Sequence, residues 1–217
     1  MSVAAVVFDL DGVIIDSEPV WEEVRRGFVA EKGGLWQPDS QQRLMGMSTA
    51  EWAAYLAEEV GVPMPAKDVA TEVIARMAQR YDASLPLIPG AIETVRELGA
   101  RWPLGLASSS PRALIDAVLD GAGLTGAFAV AISTEEVQRG KPSPDVYLAV
   151  ARQMEREPRD CVAVEDSSNG IRAAVAAGMK AIAVERLEYP VDPEVKIGAA
   201  LRLTSITELT VEIVVAL

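Results

Sequence analysis

Val3-Ala-Ala-Val-Val-Phe-Asp-Leu-Asp-Gly-Val13 is an apolar run that breaks off at two aspartates, Asp9 and Asp11. A short continuous run without alternation predicts a strand buried on both faces, as in a parallel sheet. The pattern recurs along the chain. Pro103-Leu-Gly-Leu-Ala107 runs into Ser108, and Cys161-Val-Ala-Val164 runs into Glu165 and Asp166. Lys180-Ala-Ile-Ala-Val184 is equally apolar but has no polar cluster at its end. Open parallel sheets bind ligands beyond the carboxyl ends of their strands. Asp9, Asp11, Ser108, Glu165 and Asp166 are therefore expected to converge, although they are far apart in sequence.

Helical patterns separate the runs. Pro89 to Leu98 carries apolar residues at helical spacing and stops at Gly99. Ser110-Pro111 and Ser143-Pro144 each read as an N-cap followed by Pro at the first helical position, leading into helices to about Leu119 and through Val146–Ala151. Gly170–Ala177 reads as a helix closed by Gly178 in a left-handed C-cap. Ser205 with Glu208 reads as a capping box for a last helix. Strands alternating with helices predict an α/β, Rossmann-like core with a mostly parallel sheet. One block interrupts the alternation. From Asp16 to Leu85 no strand pattern occurs, and Trp21–Ala30, Thr49–Val60 and Lys67–Tyr81 read as amphipathic helices, with a capping box at Ser48 and Glu51. That is far more chain than a βα connection needs. It predicts a helical cap domain over residues 16–85, inserted into a catalytic core of residues 1–15 and 86–217.

Composition narrows the function. The 217 residues are 50% hydrophobic and 24% charged, enough apolar mass for a sizeable core. The net charge of −12 argues against a nucleic-acid binder or a protein docked on anionic lipid. No stretch approaches about 20 apolar residues, so no membrane span is expected. A single cysteine, Cys161, allows no intramolecular disulfide and fits a reducing, cytoplasmic compartment. The chain has no histidine, which removes Ser-His-Asp and Cys-His mechanisms and His-bearing zinc sites.

Four carboxylates crowded at one sheet edge repel one another unless a cation or a proton intervenes. Hard oxygen donors without His or Cys favour Mg²⁺, which takes one or two carboxylates and substrate phosphate. Ser108 adds a hydroxyl, and the backbone amides near Ser109 and Ser110 open a helix N-terminus, a natural anion site. Lys141, in Gly140-Lys-Pro-Ser-Pro144, supplies a positive charge. Each feature has a plainer reading when taken alone. Asp9 and Asp11 could end a strand before a turn at Gly12, Ser110 could simply cap a helix, and Trp21, Trp36 and Trp52 read as core as readily as cleft. Adjacent residues on an ending strand face opposite sides, which sets Glu165 less securely in the site than Asp166. Together the set suits phosphoryl transfer, where positioning and charge neutralisation do most of the work.

Phe8-Asp-Leu-Asp-Gly-Val13 resembles the first motif of the haloacid dehalogenase-like hydrolases. Ser108 matches their second motif, Lys141 the third and Glu165-Asp166 the fourth, in the same order over nearly the whole chain. The helical insert looks like the family's type-1 cap. Asp16-Ser-Glu-Pro19 and Val164-Glu-Asp-Ser-Ser-Asn-Gly170 resemble the subgroup of sugar-phosphate phosphatases and β-phosphoglucomutase. The resemblance implies that Asp9 attacks phosphorus and that Asp11 serves as general acid and base. It implies that Mg²⁺ is held by Asp9, the Asp11 backbone carbonyl and Asp166, with Glu165 near or in the shell. Ser108 and Lys141 would hold phosphoryl oxygens, with the Ser109 amide beside them, and Lys141 would tether Asp9. The mutase pattern has a Lys and an Arg in a cap loop that matches Leu44-Met-Gly-Met-Ser-Thr49, and a His that matches Val20. All three are missing here, although Arg43 lies close by. The expected activity is hydrolysis of a small phosphate ester, a sugar or polyol phosphate, by a monomeric enzyme whose cap sets specificity; the alternative is a β-phosphoglucomutase-type isomerase.

Overall fold

The computed structural model describes residues 3–45, 47–186, 188 and 190–217. It forms two compact units, Met1–Asp16 with Leu87–Leu217, and Ser17–Pro86.

The first unit is built on a six-stranded sheet: β1 (Ala5–Phe8), β2 (Leu104–Ser108), β3 (Val130–Ser133), β4 (Cys161–Glu165), β5 (Lys180–Val184) and β6 (Leu201–Leu203). The spatial order is β3-β2-β1-β4-β5-β6 and every pairing is parallel. β1 is central, with Phe8 level with Leu106 on one side and Val164 on the other. That register lines up the ends of β1, β2 and β4, so the polar residues that follow them share one rim. The buried runs follow from the sheet being covered on both faces. β1, β2 and β4 are buried throughout, whereas β3 and β6, at the two edges, are only partly buried. On one face Val7, Ala107, Cys161 and Ala163 pack with Val146, Tyr147 and Val150 of α7 (Asp145–Gln153). Gly105 allows this close approach, since a Cβ there would meet the Val150 side chain at 2.5 Å.

The helical unit comprises α1 (Glu18–Lys32), α2 (Ser40–Leu44), α3 (Thr49–Glu58) and α4 (Ala66–Ala83). Its core gathers Trp21, Phe28, Trp52, Leu56, Val73 and Met77. Ser48 and Glu51 form the expected reciprocal capping box at the start of α3. Gly46, in the loop compared with the mutase pattern, lies outside the described residues.

Three capping expectations are corrected. Ser110 does not cap the next helix. Pro111 takes the cap position in an extended conformation (φ −52°, ψ 143°), so the helix that follows α5 (Ala91–Gly99), α6, begins at Arg112 and runs to Gly121. Pro144 likewise stands at the cap of α7, and the Ser143 hydroxyl donates to the Asp145 carboxylate at 2.7 Å. Ser205 caps only a short 3₁₀ turn, because the Glu208 carboxylate accepts from Thr204 instead. Gly178 does close α8 (Ser168–Ala176) in a left-handed conformation, with the Met179 amide reaching back to Ala174.

Candidate active site

The rim of the sheet brings the sequence-selected residues together. Asp9 follows β1 directly and is 5% exposed. Its Oδ1 accepts from the Leu10 N–H at 2.8 Å and from the Lys141 ammonium at 3.0 Å. Lys141 Nζ also donates to Glu165 Oε1 at 2.6 Å and to the Ala107 carbonyl at 2.9 Å. An ammonium has three protons, so all of its donors are committed to protein acceptors. In this arrangement Lys141 fixes the Asp9 carboxylate; it has no donor left for a phosphoryl oxygen.

Asp11 stands apart from that pairing. Its Oδ2 accepts from the Ser110 hydroxyl at 2.8 Å and from Ser108 at 3.2 Å. Ser108 Oγ accepts in turn from the Ser110 N–H at 2.9 Å. Asp11 Oδ1 is shut away from solvent with no partner among the described residues. The Ser110 hydroxyl, freed from capping by Pro111, is therefore an orienting group for Asp11. Ser109, between the two, is exposed and makes no side-chain hydrogen bond among the described residues.

Glu165 ends β4 fully buried and saturated with donors. Oε1 accepts from Lys141 and, at 2.7 Å, from the Tyr147 hydroxyl. Oε2 accepts from the Asp166 and Ser167 N–H groups at 3.2 and 3.3 Å and from the Ser167 hydroxyl at 3.1 Å. Gly170 makes room for this carboxylate, as a Cβ there would lie 1.8 Å from Oε1. The expectation that Glu165 and Asp166 face opposite ways fails, because the chain leaves the strand at Glu165 and turns into the Ser167 cap of α8. Carboxylate oxygens of Asp9, Glu165 and Asp166 lie within 4.8 Å of one another.

Burial raises the pKa of the Asp9 carboxyl to about 8, with Glu165 adding to the shift and Lys141 opposing it. Burial, then Glu165 and Asp9, holds Asp166 well above the ordinary carboxylate range, against the pull of Arg186 and Lys141. Burial alone would lower the Lys141 ammonium, but Asp9 and Glu165 outweigh it and hold it above an ordinary lysine. Tyr147 is raised by burial first, then by Glu165 and Asp9, and stays a hydroxyl donor.

These facts test the fit of a divalent cation. The donors are all oxygen, the cluster is the right size, and one lysine faces three carboxylates. Gly12, at φ 75°, leaves the space that a side chain would fill; a Cβ there would fall 1.7 Å from Asp166 Oδ2. A hard cation such as Mg²⁺ fits this set. Glu165 already accepts from five donors, so Asp9 and Asp166 are the side chains with oxygens to offer.

Tyr147 escapes a reading of the sequence. In Val146-Tyr-Leu-Ala-Val-Ala151 it looks like one more core position on a helix face. The signal was its hydroxyl, since a buried Tyr O–H needs an acceptor.

Comparison with known proteins agrees with this geometry. The family model for haloacid dehalogenase-like hydrolases matches residues 3–178. Hexitol phosphatase B of Escherichia coli K12 is 35% identical over 216 residues, covering 96% of this chain and 95% of that protein. The bifunctional riboflavin kinase/FMN phosphatase of Arabidopsis thaliana is 32% identical over 85% of this chain, which spans only 49% of that longer protein. The crystal structure of CbbY from Rhodobacter sphaeroides in complex with phosphate superposes with a TM-score of 0.87 at 26% identity, covering 99% of this chain and 100% of that one. No described helix is long and apolar enough to cross a membrane. The chain belongs to the haloacid dehalogenase-like hydrolases, in the subgroup of sugar-phosphate phosphatases and β-phosphoglucomutase, and is a phosphoric monoester hydrolase.

Proposed function

We propose that the protein is a Mg²⁺-dependent phosphatase that hydrolyses a small phosphorylated sugar or polyol through an aspartyl-phosphate on Asp9. One observation carries this reading: Asp9 is tied through Oδ1 alone, while Asp11 is clamped beside it through Oδ2 alone. Each carboxylate therefore keeps one oxygen for chemistry. Asp9 Oδ2 attacks phosphorus, and the bond to the leaving oxygen breaks as the new O–P bond forms. Asp11 delivers a proton to the leaving oxygen, then takes one from the water that attacks the phosphorylated Asp9. Phosphate departs and the Asp9 carboxylate is restored. The Ser108 and Ser110 hydroxyls keep Asp11 pointed at the substrate. Lys141 keeps Asp9 in place and its negative charge stabilised, while Glu165, locked by Tyr147 and Ser167, keeps Lys141 in place. Asp9, Asp166 and the Asp11 carbonyl would hold Mg²⁺, with Glu165 bordering the site; when bound, the cation neutralises charge on the transferring group.

The similarity to hexitol phosphatase B supports a phosphorylated sugar or polyol as substrate. The missing cations at Met45 and Thr49 support hydrolysis over a mutase cycle. We also assign the enzyme to the cytoplasm, a reading supported by its one cysteine, which is buried and unpaired. The test is a panel of phosphorylated sugars, polyols and unrelated phosphomonoesters, read as phosphate release with Mg²⁺ and with EDTA. The expected result is release from sugar or polyol phosphates that EDTA abolishes and Mg²⁺ restores. Undiminished turnover in EDTA contradicts the metal assignment. Conversion of β-glucose 1-phosphate to glucose 6-phosphate without free phosphate establishes the mutase instead.

A further inference from the structure

We propose that Asp16 is a positioning residue for the metal site: by holding the Arg186 guanidinium, it keeps that cation from pairing with Asp166 and leaves the Asp166 carboxylate to a divalent cation. The proposal rests on the reading of Asp9 and Asp166 as metal ligands and adds the charge balance that keeps one of them available.

Asp16 and Arg186 are 170 residues apart in sequence, and both belong to the first unit. Asp16 closes the turn that begins at Asp9. Within that turn the Gly12 N–H donates to the Ile15 carbonyl at 2.7 Å, and Ile15 bridges to Asp11. Arg186 stands just beyond the end of β5. β1 and β5 flank β4 in the sheet, so two strand spacings, about 10 Å, separate them. The Arg186 guanidinium donates to Asp16 Oδ1 at 2.5 Å. The pair therefore spans the end of β4, from which Asp166 follows. Asp166 leans onto the same turn, since its Oδ2 takes the space above Gly12 where a Cβ would lie 1.7 Å away. Arg186 is thus anchored on one side of Asp166 and bonded on the other.

Two cations act on Asp166, and they are not equivalent. Burial, then Glu165 and Asp9, raises its pKa, and Arg186 and Lys141 pull it back. Lys141 is committed to Asp9, Glu165 and the Ala107 carbonyl, and so cannot turn to Asp166. Arg186 goes where its partner holds it. A guanidinium forks onto a carboxylate and can take both oxygens at once, which would close Asp166 to a metal ion. The Arg186 side chain is largely buried, whereas that of Asp16 is more exposed. A cation withdrawn from water needs a carboxylate beside it, and Asp16 supplies one outside the Asp9–Glu165–Asp166 cluster. A half-exposed ion pair adds little to the stability of a fold. Its effect here is to decide which carboxylate the arginine neutralises.

The test measures Mn²⁺ binding to the full chain without substrate, read as loss of the free-ion paramagnetic resonance signal and reversed by Mg²⁺. Wild type is compared with Arg186→Met, Asp16→Ala and the double variant. Arg186→Met is expected to tighten binding about threefold, the effect of removing one screened like charge. Asp16→Ala should weaken it about tenfold, as the arginine turns onto Asp166 with a charged hydrogen bond. The double variant should match Arg186→Met, because without the arginine Asp16 has nothing to hold back. Two independent charges would instead add, leaving the double variant about threefold weaker than wild type, and that result overturns the proposal. Losses of the same sign in both single variants overturn it too, since they mark a pair that only supports the fold. Asp16→Glu keeps the partner charge and should bind within about twofold of wild type; a loss equal to that of Asp16→Ala counts against the proposal. If Arg186→Met fails to fold, Arg186→Gln takes its place with the same expectations. The remaining arms separate this idea from the readings beneath it. Wild type that takes up no Mn²⁺, or takes it up equally well after Asp166→Asn, removes the metal assignment and this proposal with it. The opposed shifts in a protein that releases phosphate from no sugar or polyol phosphate sink the function and keep the role of Asp16. Same-sign shifts beside Mg²⁺-dependent hydrolysis sink the role of Asp16 alone.

Discussion

Lys141 and Arg76 each bridge two carboxylates, and burial makes them different devices. The Lys141 side chain is 4% exposed, and the side chains of its partners Asp9 and Glu165 are 7% and 0% exposed. Arg76 on α4 joins Glu31 and Glu72 with side chains that are 27%, 56% and 32% exposed. In the exposed network water competes for every charge, so the pairs hold little and are individually replaceable. In the buried one the desolvation of each charge is large, and only mutual contacts and hydrogen bonds offset it. The buried cluster is not kept because it stabilises the fold. An excess of carboxylate held beside one lysine is a cost, and the family chemistry explains why it persists.

The sharpest way to break this comparison is Asp9→Asn. Hydrolysis should fall by at least about 10⁴-fold, the scale of removing a covalent nucleophile. The fold should survive with an unchanged or higher melting temperature, since a buried carboxylate is exchanged for a neutral isostere while Lys141 keeps Glu165. Near-normal hydrolysis removes the nucleophile assignment, and a large loss of stability removes the claim that the charge strains the core. Lys141→Met comes next. Activity should drop about 10³-fold and stability by about 3–5 kcal/mol, because the carboxylates are left buried without their cation. A denaturation curve within experimental error of wild type would show that the cluster is not under the strain described.

Tyr147→Phe probes the same cluster more gently. It removes one of the five hydrogen bonds to Glu165 and leaves the ring in place. We expect kcat to fall about tenfold with KM unchanged, as befits a group that positions the Glu165–Lys141–Asp9 chain without touching substrate. A change confined to stability would reduce Tyr147 to packing. Arg76→Ala, in the exposed network, should leave kcat and KM as they are and move the melting temperature by only about 1–2 °C. A larger shift would mean that exposure does not separate the two clusters in the way argued.

The same contrast explains what the sequence showed. β1, β2, β4 and β5 were legible because strands covered on both faces read as unbroken apolar runs. β3 and β6 were not, since Val130-Ala-Ile-Ser133 and Leu201-Arg-Leu203 are short, partly exposed edge strands without that signature. α2, with five residues, is too short to show a period. The convergence of Asp9, Asp11, Ser108, Lys141, Glu165 and Asp166 was legible because parallel strands put their polar ends on one rim. The division of labour inside the site was not. Nothing in Ser108-Ser-Ser110 says that Pro111 would take over the cap and release the Ser110 hydroxyl to Asp11. The spacing of Lys141 likewise does not show that Ala107, Asp9 and Glu165 use all three of its protons. Such choices are settled by distances of a few tenths of an ångström between residues far apart in sequence.

The most direct measurement is to look for the phosphate on Asp9 itself. The enzyme is quenched in acid during turnover, reduced with borohydride, digested and analysed by mass spectrometry. A phosphorylated Asp9 is reduced to homoserine, so the peptide that contains Phe8-Asp9-Leu10 should carry homoserine at position 9, and only when substrate is present. Product forming while Asp9 is recovered unmodified at every quench time, or homoserine appearing at another carboxylate, would contradict the mechanism.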